Sequence, residues 1–254
     1  MLAVLSPAKK LNFDRIENDL IETLPDFQSD ANRLAQIAKK LSVSDLRNLM
    51  HISEDLAKLN KARFDGFSKE STPENSKQAM FAFAGDTYTG LDSGSFDAAD
   101  CDYAQGHLRI LSGLYGVLRP MDRIQPYRLE MGSRLANKSG PTLYAYWDKK
   151  LTKALDDASQ GDVVVNLASA EYFKAANEKA MASPVVTPSF KEDRNGELKM
   201  IGFFAKQARG AMARYIVKNR VKTVEGLKDF DLDGYKFQPG LSDEKTLSFT
   251  RSAA

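Results

Sequence analysis

The segment from His107 to Arg134 constrains the fold more than any other part of the sequence. It reads HLRILSGLYGVLRPMDRIQPYRLEMGSR, with five arginines against two acidic residues, and it also contains three glycines and two prolines. Leu108, Leu111 and Leu114 predict a short helix at its start, and the glycines and prolines predict bent backbone after it. Arginine forks match phosphate and carboxylate groups, so we expect a shaped, cationic wall that binds anions. The spacing leaves one alternative open, a surface loop whose arginines pair with neighbouring acids.

Two apolar runs are typical of buried strands that end in polar loops. Met1 to Leu5 is followed by Ser6-Pro7, and the β-branched run Val163 to Leu167 is followed by Ala168-Ser169. Side chains at the carboxyl end of a buried strand point into crevices of the sheet. These ends, and a glycine-flanked turn at residues 85–90, contain the polar residues that we consider as site residues: Ser6, Lys9, Asp86, Asn166, Ser169 and Glu171. Lys9 at the start of a solvated loop, and Asp86 as a turn cap, remain the alternatives.

Residues 42–65 predict a helical hairpin. Ser42 or Ser44 can cap the first of two short helices, Ser53 is suited to cap the second, and the pattern breaks between them. The arrangement resembles a helix–hairpin–helix element, in which hairpin amides and a helix N-terminus bind a DNA phosphate. Its residues here would be His51, Ile52, Ser53, Lys58 and Lys61. The hairpin lacks the usual glycine, and Glu54 and Asp55 would repel a phosphate, so the pattern alone favours an ordinary helical hairpin packed on the core.

A second basic element lies late in the chain. Residues 199–224 contain seven basic residues and no acidic one. One helical stripe is apolar and predicted to be buried: Ala208, Ala211, Met212, Tyr215 and Ile216. Gly210, Ala213 and Val217 lie roughly opposite, where small side chains would allow close approach of a phosphate backbone or of another protein segment.

The remaining patterns predict a single α/β domain spanning residues 1–254, with a central mixed sheet flanked by helices. Helices are predicted at residues 30–41 and 143–158 from their apolar spacing. Strands are predicted at residues 79–84, at 185–191 and 198–204 around an Asn-Gly hairpin turn, and at 246–251 as an edge strand.

Composition excludes several functions. Cys101 is the single cysteine and the chain has two histidines, so an internal disulfide is impossible and we expect neither a bound metal nor a cofactor. The first apolar run is too short for a signal peptide, and no stretch approaches the roughly 20 apolar residues of a membrane span. We therefore expect a cytoplasmic monomer that does not interact with membranes. The net charge of +2 means that any affinity for nucleic acid must come from local clusters.

Several motifs together resemble the YaaA family of bacterial peroxide-stress proteins. They are LSPAK at residues 5–9, GDTYTGL at 85–91, the block 107–132 with its LSGLYG core, NLAS at 166–169 followed by Glu171-Tyr172, and KQARGAMAR at 206–214. The resemblance implies a cytoplasmic protein of hydrogen-peroxide defence that limits damage linked to free intracellular iron. It also implies DNA binding by a helix–hairpin–helix element and a positively charged cleft. Placed on this sequence, that cleft would draw on Lys9, Arg109, Arg119, Arg123, Arg128, Lys206, Arg209 and Arg214.

Three functional hypotheses follow from these residues and the resemblance. The first is a DNA-binding protein of the peroxide response, with phosphate contacts dominating and Tyr88, Tyr115 or Tyr127 stacking on exposed bases if they are not core residues. The second is an enzyme acting on damaged DNA or a phosphorylated small molecule through a lysine and a carboxylate. The third, direct iron chelation, is disfavoured because carboxylates alone hold Fe(II) weakly.

Overall fold

The computed structural model of this protein describes residues 1–15 and 20–253. Strands in this part of the chain are β1 Leu2–Leu5, β2 Lys10–Leu11, β3 Lys77–Gln78, β4 Phe83–Ala84, β5 Leu108–Ser112, β6 Gly116–Leu118, β7 Arg123–Ile124, β8 Val164–Leu167, β9 Val185–Arg194, β10 Glu197–Lys199, β11 Lys236–Phe237 and β12 Thr246–Ser252. Helices are α1 Gln28–Lys39, α2 Val43–Met50, α3 Glu54–Asp65, α4 Ala79–Ala82, α5 Asp86–Leu91, α6 Ala98–His107, α7 Leu143–Trp147, α8 Lys149–Ser159, α9 Ala170–Phe173, α10 Gly202–Asn219 and α11 Val224–Leu227. Short 3₁₀ helices lie at Ser93–Ser95, Lys174–Ala176, Glu178–Ala180, Leu232–Gly234 and Pro239–Leu241.

The main sheet is mostly parallel and has the order β11-β12-β9-β8-β1-β5-β6, with β10 paired to β9. Strands β12, β9, β8, β1 and β5 run parallel to their neighbours, whereas β6, β10 and β11 are antiparallel additions. Every residue of β1 and β8 is buried, as expected for parallel strands covered on both faces. This architecture confirms the prediction of one α/β domain with a mixed central sheet flanked by helices.

Strand β1 is the point at which the chain changes direction across the sheet. The chain goes from β1 to β5 on one side and later returns to β8 on the other side. In sheets of this kind, a crevice opens outside the carboxyl ends of the two strands at the change of direction. The polar residues that follow β1 and β8 therefore share one crevice, which their spacing in the sequence alone does not show.

The helical hairpin lies where the sequence predicted it. Ser42 caps α2 in a capping box with Asp45, and the Ser53 Oγ accepts a hydrogen bond from the Leu56 amide at 3.4 Å at the start of α3. His51 ends α2 in the left-handed conformation, with a φ of 51°. It occupies the position that glycine commonly takes at a helix end, which explains how the hairpin forms without glycine.

The predicted helix at Leu108 was wrong. Leu108–Ser112 is strand β5, which pairs with β1, and a tight turn then leads to β6. Gly116 begins β6 with a φ of +71°, and a side chain there would contact the Trp147 ring at 2.8 Å. Pairing with the central strand outweighs a leucine spacing that suits a helix equally well, because periodicity is ambiguous in short apolar runs.

Five other local predictions need correction. Residues 79–84 form α4 and the short strand β4, and the glycine-flanked turn at 85–90 is helix α5. The helix predicted at 143–158 is broken at Asp148, which has a positive φ of 36°. The second hairpin strand ends at Lys199, and helix α10 begins at Gly202. Strand β12 lies between β9 and β11, so β11 forms the edge.

The small-residue face of α10 packs inside the protein. Gly210, Ala213 and Val217 are buried, and a Cβ on Gly210 would lie 1.8 Å from the Thr87 carbonyl oxygen of α5. On the facing helix, a Cβ on Gly90 would lie 2.0 Å from the Gln207 carbonyl oxygen. The two glycines thus let α5 and α10 cross in backbone contact, and this face is not open to a phosphate backbone.

Candidate functional site

A cavity of about 450 Å³ opens at the carboxyl ends of β1 and β8. Its lining residues come from five parts of the chain: Ser6, Pro7, Ala8, Lys9 and Lys10; Ala84, Gly85, Asp86 and Thr87; Tyr127, Arg128, Leu129 and Glu130; Leu167, Ser169, Glu171 and Tyr172; and Lys206 and Arg209. The structure therefore brings together Ser6, Lys9, Asp86, Ser169 and Glu171, which the sequence singled out separately. Asn166 is almost fully buried below them and accepts a hydrogen bond from the Ala168 amide.

The two strand ends are joined by hydrogen bonds at the floor of the cavity. The Ser6 Oγ accepts the Ser169 amide at 2.8 Å and lies 3.3 Å from the Ser169 Oγ. The Tyr88 hydroxyl donates to the Ser6 carbonyl at 3.1 Å. The Ser6 Oγ is held by a backbone amide, and the Ser169 Oγ by the Ser6 hydroxyl, so the two oxygens present fixed polar atoms to any molecule in the cavity.

The cavity contains five cationic and three acidic side chains, a net formal charge of +2. Glu130 lies between two of the cations: Lys9 Nζ is 2.8 Å from its Oε2, and Arg128 Nη2 is 2.9 Å from its Oε1. Lys206 Nζ lies 3.6 Å from Asp86 Oδ2, a longer and more exposed pair. Three of the five cations, Lys9, Arg128 and Lys206, are therefore paired with an acidic residue of the cavity. These ion pairs hold the three side chains at the rim.

Arg209 and Lys10 differ from the other three cations. Neither side chain makes an ion pair or hydrogen bond with any residue in 1–15 or 20–253. Arg209 is half-buried, and burial lowers the pKa of its guanidinium from the ordinary value. A partly desolvated guanidinium without a carboxylate costs free energy, which an anionic ligand can recover.

Glu171 forms the side of the cavity near residue 132. Its Oε1 accepts the Gly132 amide at 2.8 Å, and its carbonyl accepts a hydrogen bond from the Tyr144 hydroxyl at 2.9 Å. A side chain at residue 132 would press on this carboxylate, because a Cβ there would lie 3.1 Å from Oε1. The carboxylate is therefore held by the end of the arginine-rich segment.

Four predicted anion-binding arginines lie outside the cavity. Arg119 pairs with Asp122 and Asp26, Arg123 is buried against Glu22, and Arg214 pairs with Asp92. The Arg109 guanidinium donates to the carbonyls of Gln105 and Leu108, and burial lowers its pKa. The segment from His107 to Arg134 is thus not one continuous cationic wall, since most of its guanidinium groups stabilise bent backbone and only Arg128 reaches the cavity.

Comparison with known sequences assigns the protein to a family. The model of the family described as peroxide stress protein YaaA matches residues 1–241. This chain belongs to the YaaA family. Proteins named UPF0246 are 52% identical to it in Dinoroseobacter shibae, over 99% of this chain and 95% of that protein, and 51% identical in Caulobacter vibrioides, over 99% of both. A further one from Alteromonas mediterranea is 52% identical over 99% of this chain and 98% of its own length.

In this YaaA-family chain the basic residues of the hairpin are not among those that line the cavity. Arg63, in the last turn of α3, has a pKa lowered by burial and by the nearby positive charge of Arg128, which lines the cavity. Lys58 pairs with Glu54 and Lys61 with Asp65. His51, Ile52 and Ser53 remain at the surface between the two helices.

An apolar wall of the YaaA-family cavity was not predicted from the sequence. Tyr172, Leu129 and Leu167 line it together with Tyr127, whose hydroxyl is 2.6 Å from the Ser112 Oγ. All three tyrosines considered for stacking, Tyr88, Tyr115 and Tyr127, are buried core residues, and Tyr127 also lines the cavity. The signal for Tyr172 was its place three residues after Ser169, which follows the end of β8, and beside Glu171.

Cys101 cannot readily act as a reactive thiol in this YaaA-family fold. It is fully buried, and burial together with neighbouring acids raises the pKa of the thiol to about 11. Peroxide reacts with thiolates, and a thiol with this pKa is protonated at neutral pH. In residues 1–15 and 20–253, no three His, Cys, Asp or Glu side chains lie close enough together to hold a metal ion. Within the same residues, no helix is both long and apolar enough to cross a bilayer.

Proposed function

We propose that this protein acts in the peroxide stress response by binding DNA, with phosphate groups held over the cavity at the ends of β1 and β8. The observation that carries the proposal is the convergence of Lys9, Lys10, Arg128, Lys206 and Arg209 on one opening. In a chain with a net charge of only +2, this local concentration of cations is the feature that suits a polyanion.

The helical hairpin extends the same basic surface. Arg63 of α3 is close enough to Arg128 for the two charges to influence each other, so the C-terminal end of α3 lies near the cavity rim. The turn at His51–Ser53 lies at the other end of α3 from Arg63, about 14 Å along the helix, so a DNA backbone that crosses the opening would follow α3 to reach it. Backbone amides at such a turn hold phosphates without reading sequence, which favours binding that depends on DNA shape.

The proposed role includes limiting the damage linked to free intracellular iron, through DNA and without iron binding by the protein. The carboxylates of the cavity are held by cations or amides: Glu130 by Lys9 and Arg128, and Glu171 by the Gly132 amide. Carboxylates engaged in this way are poor iron ligands. A monomer in the cytoplasm, without membrane contact, is sufficient for this role.

Salt dependence tests the DNA-binding proposal. Fluorescence anisotropy with a labelled duplex, a bulged duplex and a single strand should show binding at 50 mM salt that weakens by at least about tenfold at 200 mM, because phosphate contacts release counterions. The double variant Lys10→Ala/Lys206→Ala should weaken binding to all three forms. Lys222→Ala removes an exposed charge elsewhere and serves as the control. If no DNA form binds at 50 mM salt, the proposal fails.

A second candidate function is an enzyme that acts on damaged DNA or on a phosphorylated small molecule. It is favoured by the meeting of Ser6, Lys9, Asp86 and Glu171 at one cavity. For the lyase form of this hypothesis, a Lys9 amine would attack the C1′ aldehyde of an abasic site, and water would leave as the imine forms. Borohydride should then trap the wild-type protein, and not Lys9→Ala, on abasic DNA. Absence of a trapped complex, with unchanged binding, would exclude this chemistry.

A further inference from the structure

The dimensions of the cavity limit what can enter it. Its volume of about 450 Å³ is within the range of roughly 300–1,000 Å³ typical of small-molecule pockets. A DNA duplex cannot enter a space of this size, although it can lie across the opening. Only a small molecule, or a single nucleotide taken out of a base stack, can reach Ser6 and Ser169 at the floor.

Different elements of the cavity supply two different kinds of surface. Helix α10 supplies Lys206 and Arg209, which are one helical turn apart and therefore on the same side of the helix. The segment after β7 and helix α9 supply Tyr127, Leu129 and Tyr172, whose rings and methyl groups are almost fully buried. One ligand that uses both surfaces must combine an anionic group with a largely apolar one.

Arg209 is the best-placed group for the anion. It is half-buried, it lines the cavity, and it has no partner within residues 1–15 and 20–253. The neighbouring cations Lys9 and Arg128 already share Glu130. A guanidinium presents two parallel N–H groups to two phosphate oxygens, and a phosphate monoester or diester both supply such a pair.

We propose that the cavity binds a nucleoside monophosphate unit, with its phosphate on Arg209 and its base against Tyr127 and Tyr172. The inference rests on the proposed function in one respect only: whether the bound nucleotide unit is part of DNA. Free nucleotides and unpaired nucleotides in DNA share the same chemistry, and the experiment distinguishes them. The hydroxyls of Ser6 and Ser169, 3.3 Å apart, are then the polar atoms at the floor that face the ligand.

Isothermal titration calorimetry with dAMP, deoxyadenosine and inorganic phosphate tests whether the cavity binds a free nucleotide. Binding of dAMP should exceed that of deoxyadenosine and of phosphate by on the order of 10–100-fold, since a charge-assisted hydrogen-bond pair and an apolar contact are each lost. Arg209→Met keeps the apolar stem and should lose the preference for dAMP over deoxyadenosine. Lys222→Ala is the control for charge, and thermal melting shows whether each variant is folded.

Fluorescence anisotropy with two bulged duplexes tests whether the protein binds an unpaired nucleotide within DNA. One duplex has a single unpaired deoxyadenosine, and the other has an abasic sugar at the same position. The first should bind about tenfold more tightly to the wild-type protein, and Arg209→Met should reduce this difference.

The two measurements separate this inference from the proposed function. Binding of dAMP that depends on Arg209 supports the inference even if no DNA binds, an outcome that would refute the DNA-binding proposal alone. A preference for the unpaired base that depends on Arg209 supports both proposals and identifies DNA as the source. DNA binding without any base preference, together with no Arg209-dependent binding of dAMP, would overturn the inference and leave the DNA-binding proposal intact.

Discussion

Replacing Gly210 with alanine should destabilise the protein by about 3–5 kcal/mol or prevent folding, because the new methyl group collides with backbone. A Cβ at this position would lie 1.8 Å from the Thr87 carbonyl oxygen and 2.6 Å from the Leu91 amide nitrogen. Backbone atoms cannot rotate away as a flexible side chain can, so α5 and α10 must separate. The same holds for Gly90→Ala, whose Cβ would lie 2.0 Å from the Gln207 carbonyl oxygen.

Two glycine-to-alanine changes provide matched controls. Gly202 begins the same helix α10, and Gly106 lies within α6; a Cβ at either position meets no atom within 4 Å. Alanine there should leave stability unchanged or raise it by about 0.5–1 kcal/mol, as expected where helix propensity alone changes. Urea unfolding followed by circular dichroism measures all four variants. If Gly210→Ala unfolds at the wild-type midpoint, the backbone contact between α5 and α10 is not present in solution.

The crossing of α5 and α10 also shapes the site. Asp86 and Thr87 of α5 and Lys206 and Arg209 of α10 line the same cavity. A milder loss of this packing should therefore weaken ligand binding before it abolishes folding. The two glycines touch no ligand, but the proposed function depends on them because they allow the close packing of α5 and α10.

The sequence identified the strand ends of the site but not its walls. Buried apolar runs ending in Ser6 and Ser169 predict strands with polar residues at a crevice, and β1 and β8 place them together. Tyr172 and Leu129 were missed, because an apolar residue that lines a cavity has the same local pattern as one that fills a core. Only the topology of the sheet shows which of the two it is.

Charge patterns were the least informative part of the sequence. The arginines between His107 and Arg134 were expected to form one wall, yet their roles depend on partners distant in the chain. Arg123 meets Glu22, and Arg119 meets Asp26. Such pairing cannot be predicted from spacing within a segment. The N-cap Ser53, which acts on a residue three positions away, was predicted correctly, and Ser42 was one of the two candidates for the other N-cap.

Asp122 holds the bend of this arginine-rich segment, and Asp122→Ala should destabilise the protein by about 2–4 kcal/mol. Its buried carboxylate accepts hydrogen bonds from the Thr23 hydroxyl at 2.6 Å and the Arg119 amide at 2.8 Å, and it pairs with the Arg119 guanidinium. Alanine would leave these buried donors without an acceptor. Asp26→Ala, which removes the exposed carboxylate from the same Arg119, is the control and should change stability by less than about 0.5 kcal/mol.

Asparagine at position 122 separates the roles of shape and charge. Burial raises the pKa of the Asp122 carboxyl above its ordinary value, although hydrogen bonds from Thr23 and Arg119 oppose the change. A carboxyl with a raised pKa in the folded state contributes stability below its ordinary pKa, and this contribution is lost as the pH rises through the folded-state value. Asp122→Asn keeps an acceptor oxygen without charge, so it should cost less than Asp122→Ala at pH 7.

The pH dependence of unfolding tests this assignment. Between the ordinary and the raised pKa of Asp122, wild-type stability should gain from this group as the pH falls, and the gain should be absent in Asp122→Asn. Urea midpoints of the two proteins across the acid range therefore provide the measurement, with Asp26→Asn as the exposed counterpart. If Asp122→Asn is as unstable as Asp122→Ala at pH 7, the negative charge itself, held by Arg119, maintains the bend, and burial does not dominate at this site.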